Sequence, residues 1–261
     1  MEFPLVWIEF GLVGILAGFL AGYLGIGGGI IVVPALIWLF SKDPQTMQVA
    51  SQMAVATSLA TMLLTSLSSL IAHHRKGAVA WPVVQLLAPG LLAGAIGGAI
   101  LATVFSSRGL AIAFGVFALL AGLQMIIGRT FASHKALPGR IFGAFTGVIM
   151  GAISSLVGIG GGSMTVPWML WHGRAARDAV ATAAACGYPI AIGGTLSFMV
   201  LGEKAGAAGG YINWAAFAGI AVFSIFSAPI GAAVVHKSRP ATIKRIFGLF
   251  LILIGLRLIW A

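Results

Sequence analysis

Two glycine runs carry the chemistry that can be read most directly from this chain. Gly25-Ile26-Gly27-Gly28-Gly29 is followed by Val33-Pro34, and Gly158-Ile159-Gly160-Gly161-Gly162 is followed by Val166-Pro167. Glycine has no side chain to react, so what these runs offer is main chain. After proline it is the poorest residue for a helix interior, so each run breaks the apolar stretch in which it lies. The break is expected to open a short helix, from Ile30 to Phe40 in one case and from Ser163 to Trp171 in the other. The first amides of a helix have no intrahelical partner and carry the positive end of its dipole, and glycine lets a ligand approach them. Gly27, Gly28 and Gly29, with Gly160, Gly161, Gly162 and Ser163, are therefore candidates for a main-chain cradle that would hold an anion. The competing reading is tight helix packing. That reading suffices for the stripes Gly14-Gly18-Gly22, Gly90-Gly94-Gly98 and Gly143-Gly147-Gly151, whose four-residue spacing lets helix backbones approach closely.

Hydroxyl groups are the other available ligands. The segment from Pro44 to Ala72 carries Ser51, Thr57, Ser58, Thr61, Thr65, Ser66, Ser68 and Ser69, with Gln48 and Gln52. Of these, Ser51, Ser58, Thr61, Thr65 and Ser68 share one helical face. Thr182 matches Thr57, because Val180-Ala181-Thr182 parallels Val55-Ala56-Thr57. Thr57, Ser58 and Thr182 are the hydroxyls expected to face a cavity; interhelical or back-bonded hydroxyls are the alternative. The five acids, Glu2, Glu9, Asp43, Asp178 and Glu203, all lie near segment ends. No paired carboxylates, HExxH or Walker motif occurs, and no nucleophile shares a depth with a base, so the chain does not read as an enzyme. No metal or cofactor is called for. His73, His74, His134, His172 and His236 fall in or beside loops and read as solvated. With no Arg or Lys in mid-span, anion binding would depend on amides and hydroxyls.

The elements that must position these groups lie in lipid. The chain has 261 residues, 60% hydrophobic and 8% charged, far too few charges to cover a soluble domain. Apolar stretches of about 20 residues, long enough to cross a bilayer core, recur along its length. The formal charge of +10 would suggest nucleic acid in a soluble protein, but here Lys and Arg sit in short loops between spans. The single Cys186 excludes an internal disulfide, and Met1-Glu2-Phe3-Pro4 shows no basic leader, so the first span is expected to be retained.

The glycine runs belong to an internal repeat offset by 133 residues (158 − 25). The same offset pairs Gly14 with Gly147, Gly18 with Gly151, Trp38 with Trp171, Trp81 with Trp214, Gly115 with Gly248 and Gly122 with Gly255. The chain thus reads as a single polytopic membrane domain, 1–261, with repeats at 1–128 and 139–261. The expected spans are Leu5–Tyr23, Ile30–Phe40, Pro44–Ala72, Trp81–Phe105 and Leu110–Ile127. In the second repeat they are Ile141–Val157, Ser163–Trp171, Ala179–Leu201, Trp214–Val235 and Ile246–Trp260. Asp43 before Pro44, and Asp178, are expected to be helix N-caps.

Charge placement decides the topology. If each glycine-broken stretch forms a hairpin, all of the 15 basic residues except Lys42, Arg108, Lys204 and Arg257 fall on one side. If each crosses only once, the charges divide almost evenly. The positive-inside rule favours the hairpins, with both termini outside. The predicted fold is an all-α integral membrane protein of two inverted five-segment repeats, ten membrane segments in all, two of them short half-helices after the glycine turns.

The doubled Gly-x-Gly-Gly-Gly with Val-Pro, followed by a Thr-Ser helix, resembles the sulfite exporter TauE/SafE family of permeases across essentially the whole chain. The resemblance implies a secondary transporter, an exporter, of sulfite, organosulfonates or related sulfur-containing or carboxylate anions in the bacterial inner membrane. Carried over by motif, it points to Gly25–Gly29 with Pro34, Gly158–Gly162 with Pro167, and Thr57-Ser58. The sequence departs from the motif at Thr182-Ala183, where Ser58 has no hydroxyl counterpart. The expected partners are a small anionic substrate and the lipid bilayer, with room for proton or ion coupling and no nucleic acid. A passive anion channel and a membrane scaffold without transport are the alternatives; oligomeric state is open.

Overall fold

The computed structural model describes residues 3–25, 27–127, 137–205, 210–234 and 240–260. Among them are ten α-helices: α1 (Phe3–Leu24), α2 (Gly29–Phe40), α3 (Ala50–His74), α4 (Trp81–Val104), α5 (Ser107–Ile127), α6 (Arg140–Val157), α7 (Gly162–Trp171), α8 (Ala176–Lys204), α9 (Trp214–Val234) and α10 (Pro240–Trp260). Seven described helices are long and apolar enough to cross a membrane: α1, α3, α4, α5, α6, α8 and α9. With 12 and 10 residues, α2 and α7 are about 18 and 15 Å long, roughly half a bilayer core. The glycine runs do break their stretches. Gly25 (φ 71°) follows α1, and Gly158 (φ 72°) caps α6, its N–H donating to the Ser154 carbonyl.

Three expected helix starts differ. Asp43 does not cap α3; its carboxylate accepts the Gln45 N–H at 3.0 Å and its carbonyl those of Thr46 and Met47. The Thr46 hydroxyl donates back to the Phe40 carbonyl at 2.7 Å. These bonds close a turn over 41–46, and α3 begins only after the 3-10 turn Met47–Val49. Asp178 lies inside the first turn of α8, whose N-cap is Ala175. There its charge still complements the helix dipole. α10 starts at Pro240 rather than near Ile246, as suits a residue without an N–H at the first helical position.

The helices pack in an order unlike their order along the chain. α1 lies on α9, α4 on α6, α5 on α10 and α3 on α8. The glycine stripes make these contacts. A methyl on Gly14, Gly18 or Gly22 of α1 would strike the carbonyls of Ile220, Ser224 or Ala228 in turn, so α1 and α9 run parallel. Gly90, Gly94 and Gly98 of α4 meet the carbonyls of Ala144, Val148 and Ala152 of α6 in the same parallel sense. By contrast, Gly115 meets Gly255 and Gly122 meets Gly248, so α5 and α10 are antiparallel. α3 and α8 are antiparallel too, with Ser66 beside Gly187 and Leu59 beside Gly194. Such close approach trades side-chain volume for backbone contact, which is how helices associate where lipid competes with every apolar side chain. The outer surface is apolar, as Phe142, Phe226 and Leu253 illustrate, each more than half exposed. Polar groups are gathered inside, with Thr57, Ser58, Ser155, Thr165 and Thr182 all 0% exposed.

Candidate functional site

The two glycine turns meet. A methyl on Gly27 would stand 3.0 Å from the Gly160 Cα and 2.9 Å from the Met62 Cε, so nothing larger than hydrogen fits between the turns. Gly29 faces the Gly158 carbonyl, to which the Ser58 hydroxyl donates at 2.9 Å. The starts of α2 and α7 are thus brought together, each with first-turn amides that no i−4 carbonyl can serve. The turns are not identical. Gly28, the N-cap of α2, has φ 77°, in the left-handed region, whereas Gly161, the N-cap of α7, has φ −54°. Gly28 is hemmed by the Ala17 carbonyl, 2.8 Å from where a methyl would sit, while at Gly161 the nearest atom would be the Ile190 Cδ1 at 3.1 Å.

Of the hydroxyls expected to face a cavity, only Ser58 lies at the turns. Thr57 and Thr182 instead hold helix starts. The Asn213 N–H, just before α9, donates to the Thr57 Oγ1 at 2.9 Å. The Ala80 N–H, just before α4, donates to the Thr182 Oγ1 at the same distance. Asn213 and Ala80 are themselves 133 residues apart (213 − 80), so the paired threonines do paired work. Ser163 is half-buried, its hydroxyl 3.3 Å from the Gly160 carbonyl. It lines a cleft of about 400 Å³ between α5, α6 and α7, walled by Phe117, Leu120, Ile153 and Leu156 and otherwise almost wholly apolar.

The wider hydroxyl face of α3 is mostly spent on packing. Ser51 bonds to Ser107, Thr65 to Ser224 at 2.6 Å, and Ser68 to the Ile225 carbonyl at 2.8 Å. His73 is not the solvated loop residue expected from its place near a helix end. It is 0% exposed in the last turn of α3, its Nε2 3.1 Å from the Gly22 carbonyl. His134 and His236 lie outside the described residues. Two buried hydroxyls near the α7 start were not singled out in the sequence, Ser66 and Thr165, and neither has a hydrogen-bond partner. Ser66 is off the regular face of α3, and Thr165 lies in the short apolar helix α7 with only Ser163 for a hydroxyl neighbour, so neither stood out by spacing. All described Lys and Arg side chains within residues 42–204, from Lys42 to Lys204, are exposed.

With helices the only long regular elements among the described residues, seven of them long and apolar enough to span, and with an apolar exterior and a polar interior, this is a multi-pass membrane protein. The profile of the sulfite exporter TauE/SafE family matches residues 10–258, and the chain belongs to that family. It is 33% identical over 260 residues to a Haemophilus influenzae protein named "Probable membrane transporter protein", covering 95% of this chain and 96% of that one. It is 29% identical to "Probable membrane transporter protein YunE" of Bacillus subtilis, again over 95% of this chain and 96% of the relative. A relative from the archaeon Methanocaldococcus jannaschii, "Probable membrane transporter protein MJ0441", is 26% identical over 93% of this chain and 94% of its own. No solved structure gives a significant match.

Proposed function

We propose that this protein is a secondary transporter, an exporter, of small anions such as sulfite, organosulfonates or related sulfur-containing or carboxylate anions. It works by rocking two inverted halves around a site where the glycine turns meet. The observation that carries this reading is the contact of Gly27 with Gly160, which joins two half-length helices start to start. Two positive helix ends at one point favour an anion, and a non-helical backbone inside a membrane protein is tolerated where it is buried or lines a wet cavity. The inverted arrangement is supported by the antiparallel packing of α5 on α10, which the 133-residue offset matches, and of α3 on α8, which Thr57 and Thr182 match at an offset of 125 (182 − 57). Family membership and transporter-named relatives of near-equal length support the same reading. On this reading the protein lies in the bacterial inner membrane with both termini outside, with room for coupling to a proton or another ion.

The test is counterflow in proteoliposomes. Vesicles loaded with unlabelled sulfite or methanesulfonate are expected to accumulate the labelled anion transiently against its gradient. Flux that only relaxes towards equilibrium, without saturation, would establish a channel. No flux of any small anion would sink the transport reading.

A further inference from the structure

The α7 N-terminus has unusual surroundings. Around it stand two hydroxyls that the fold has buried without giving them a partner, Ser66 on α3 at 1% exposure and Thr165 on α7 at 0%. A buried hydroxyl left unpaired costs free energy, so both call for a missing acceptor or donor. They are placed around missing side chains. A Cβ at Gly187 of α8 would stand 3.2 Å from the Ser66 Oγ and 4.0 Å from the Gly161 N. A Cβ at Gly161 would stand 3.4 Å from the Thr165 Oγ1. Glycine at 161 and 187 thus keeps side chains from between two idle hydroxyls and the N-cap amide of a ten-residue helix, which face one another so closely that a methyl at either glycine would press on its neighbours.

The α2 start is built differently. With α3 and α8 aligned by Thr57 and Thr182, an offset of 125 (182 − 57), Gly187 answers to Met62, Ser66 to Ala191 and Ala183 to Ser58. Where a glycine without a side chain faces α7, the Met62 side chain reaches Gly27 by α2. Where α7 has unpaired hydroxyls nearby, the Ser58 hydroxyl at the first turn is already committed to the Gly158 carbonyl.

We propose that the substrate site is asymmetric, a single oxyanion pocket at the α7 N-terminus, in which Ser66 and Thr165 donate hydroxyl hydrogens and Gly161 its amide, with Gly187 leaving these donors uncovered by any side chain. This deepens, and rests on, the anion-transporter reading above. The donors are few and neutral, while the desolvation cost of an ion grows with the square of its charge. The pocket therefore takes monoanions, with one delocalised charge over two or three oxygens, in preference to dianions of the same shape.

The experiment is calorimetric titration of the purified full-length protein with methanesulfonate, acetate and sulfate. Wild type is expected to bind at least one of the two monoanions, at least tenfold more tightly than sulfate. Ser66→Ala and Thr165→Val, each removing one hydrogen bond to charge, are expected to weaken that binding about tenfold or more. Gly187→Ala sets a methyl against the Ser66 hydroxyl and is expected to abolish binding. Ser68→Ala, whose hydroxyl serves Ile225, is the control and leaves binding unchanged. Melting of each variant without ligand shows whether it is folded, and Thr165→Val, nearly isosteric, keeps the test open should Gly187→Ala fail to fold. Wild-type binding that survives both Ser66→Ala and Thr165→Val overturns this pocket while leaving anion transport standing. Equal or tighter binding of sulfate overturns the preference for monoanions. No binding of any of the three by wild type overturns the pocket, and the anion reading must then answer to counterflow alone.

Discussion

At the scale of single residues, glycines alike in sequence have different reasons to be glycine, and substitution separates them. Gly28 sits at φ 77° with the Ala17 carbonyl close by, so Gly28→Ala is expected to cost at least about 1–2 kcal/mol and lower the melting temperature visibly. Gly161 has ordinary helical angles and looser neighbours. Gly161→Ala is expected to melt close to wild type yet bind anions at least tenfold more weakly, because the methyl stands before the ligand. Gly97 has nothing within 4 Å and lies in mid-helix, so Gly97→Ala is expected to raise stability by about 0.4–1 kcal/mol. Thermal melting and calorimetry on the three variants check all of this. The doubled motif was legible as a site because repetition marked it. The difference between Gly28 and Gly161 was not, since it depends on which way the preceding backbone enters each helix. Ser66 and Thr165 were hidden for a related reason. What distinguishes them is the lack of a neighbour, and a sequence does not show neighbours.

At the scale of elements, Thr57 and Thr182 set where α9 and α4 begin. Each accepts one half-buried N–H at 2.9 Å from a residue far along the chain. Thr57→Val and Thr182→Val would each strand that N–H, at a cost of about 1–3 kcal/mol. Similar losses of melting temperature are expected from both, with anion affinity in the folded protein unchanged. A large affinity loss without destabilisation would return these threonines to the binding site. The spans themselves were legible from apolar length, and the packing role of the glycine stripes from their spacing. The start of α3 was not legible. Asp43-Pro44 has the form of a helix N-terminus, but Thr46 bonds back to the Phe40 carbonyl and ties the segment into a turn against α2. Local signals propose a helix start; contacts from the preceding element can move it.

At the scale of the whole molecule, charge asymmetry predicts that Lys42 and Arg75 lie on opposite sides of the membrane. Single cysteines, Lys42→Cys and Arg75→Cys in a Cys186→Ala background, are expected to react with an impermeant reagent from opposite faces. Labelling of both from one face would reject the hairpin topology. Which helix packs on which was not legible at all. A 133-residue offset says that two lengths of chain are alike, not that each will lean on the other.

The exchanged packing has a consequence for how the molecule holds together. α1 finds its glycine-lined partner in α9 and α4 finds its own in α6, while α3 and α5 pack on the helices they match by offset. Neither length of chain contains the surfaces that complete it. Expressed alone, residues 1–128 would present bare glycine furrows to lipid and be degraded; expressed together with 139–261 as a separate polypeptide, both are expected to persist and to purify as a pair. Swapped neighbours and self-matched neighbours together are what an isologous two-fold interface requires. If the two lengths are the inverted halves proposed above, the covalent chain does the work of a dimer that no longer has to find its other half.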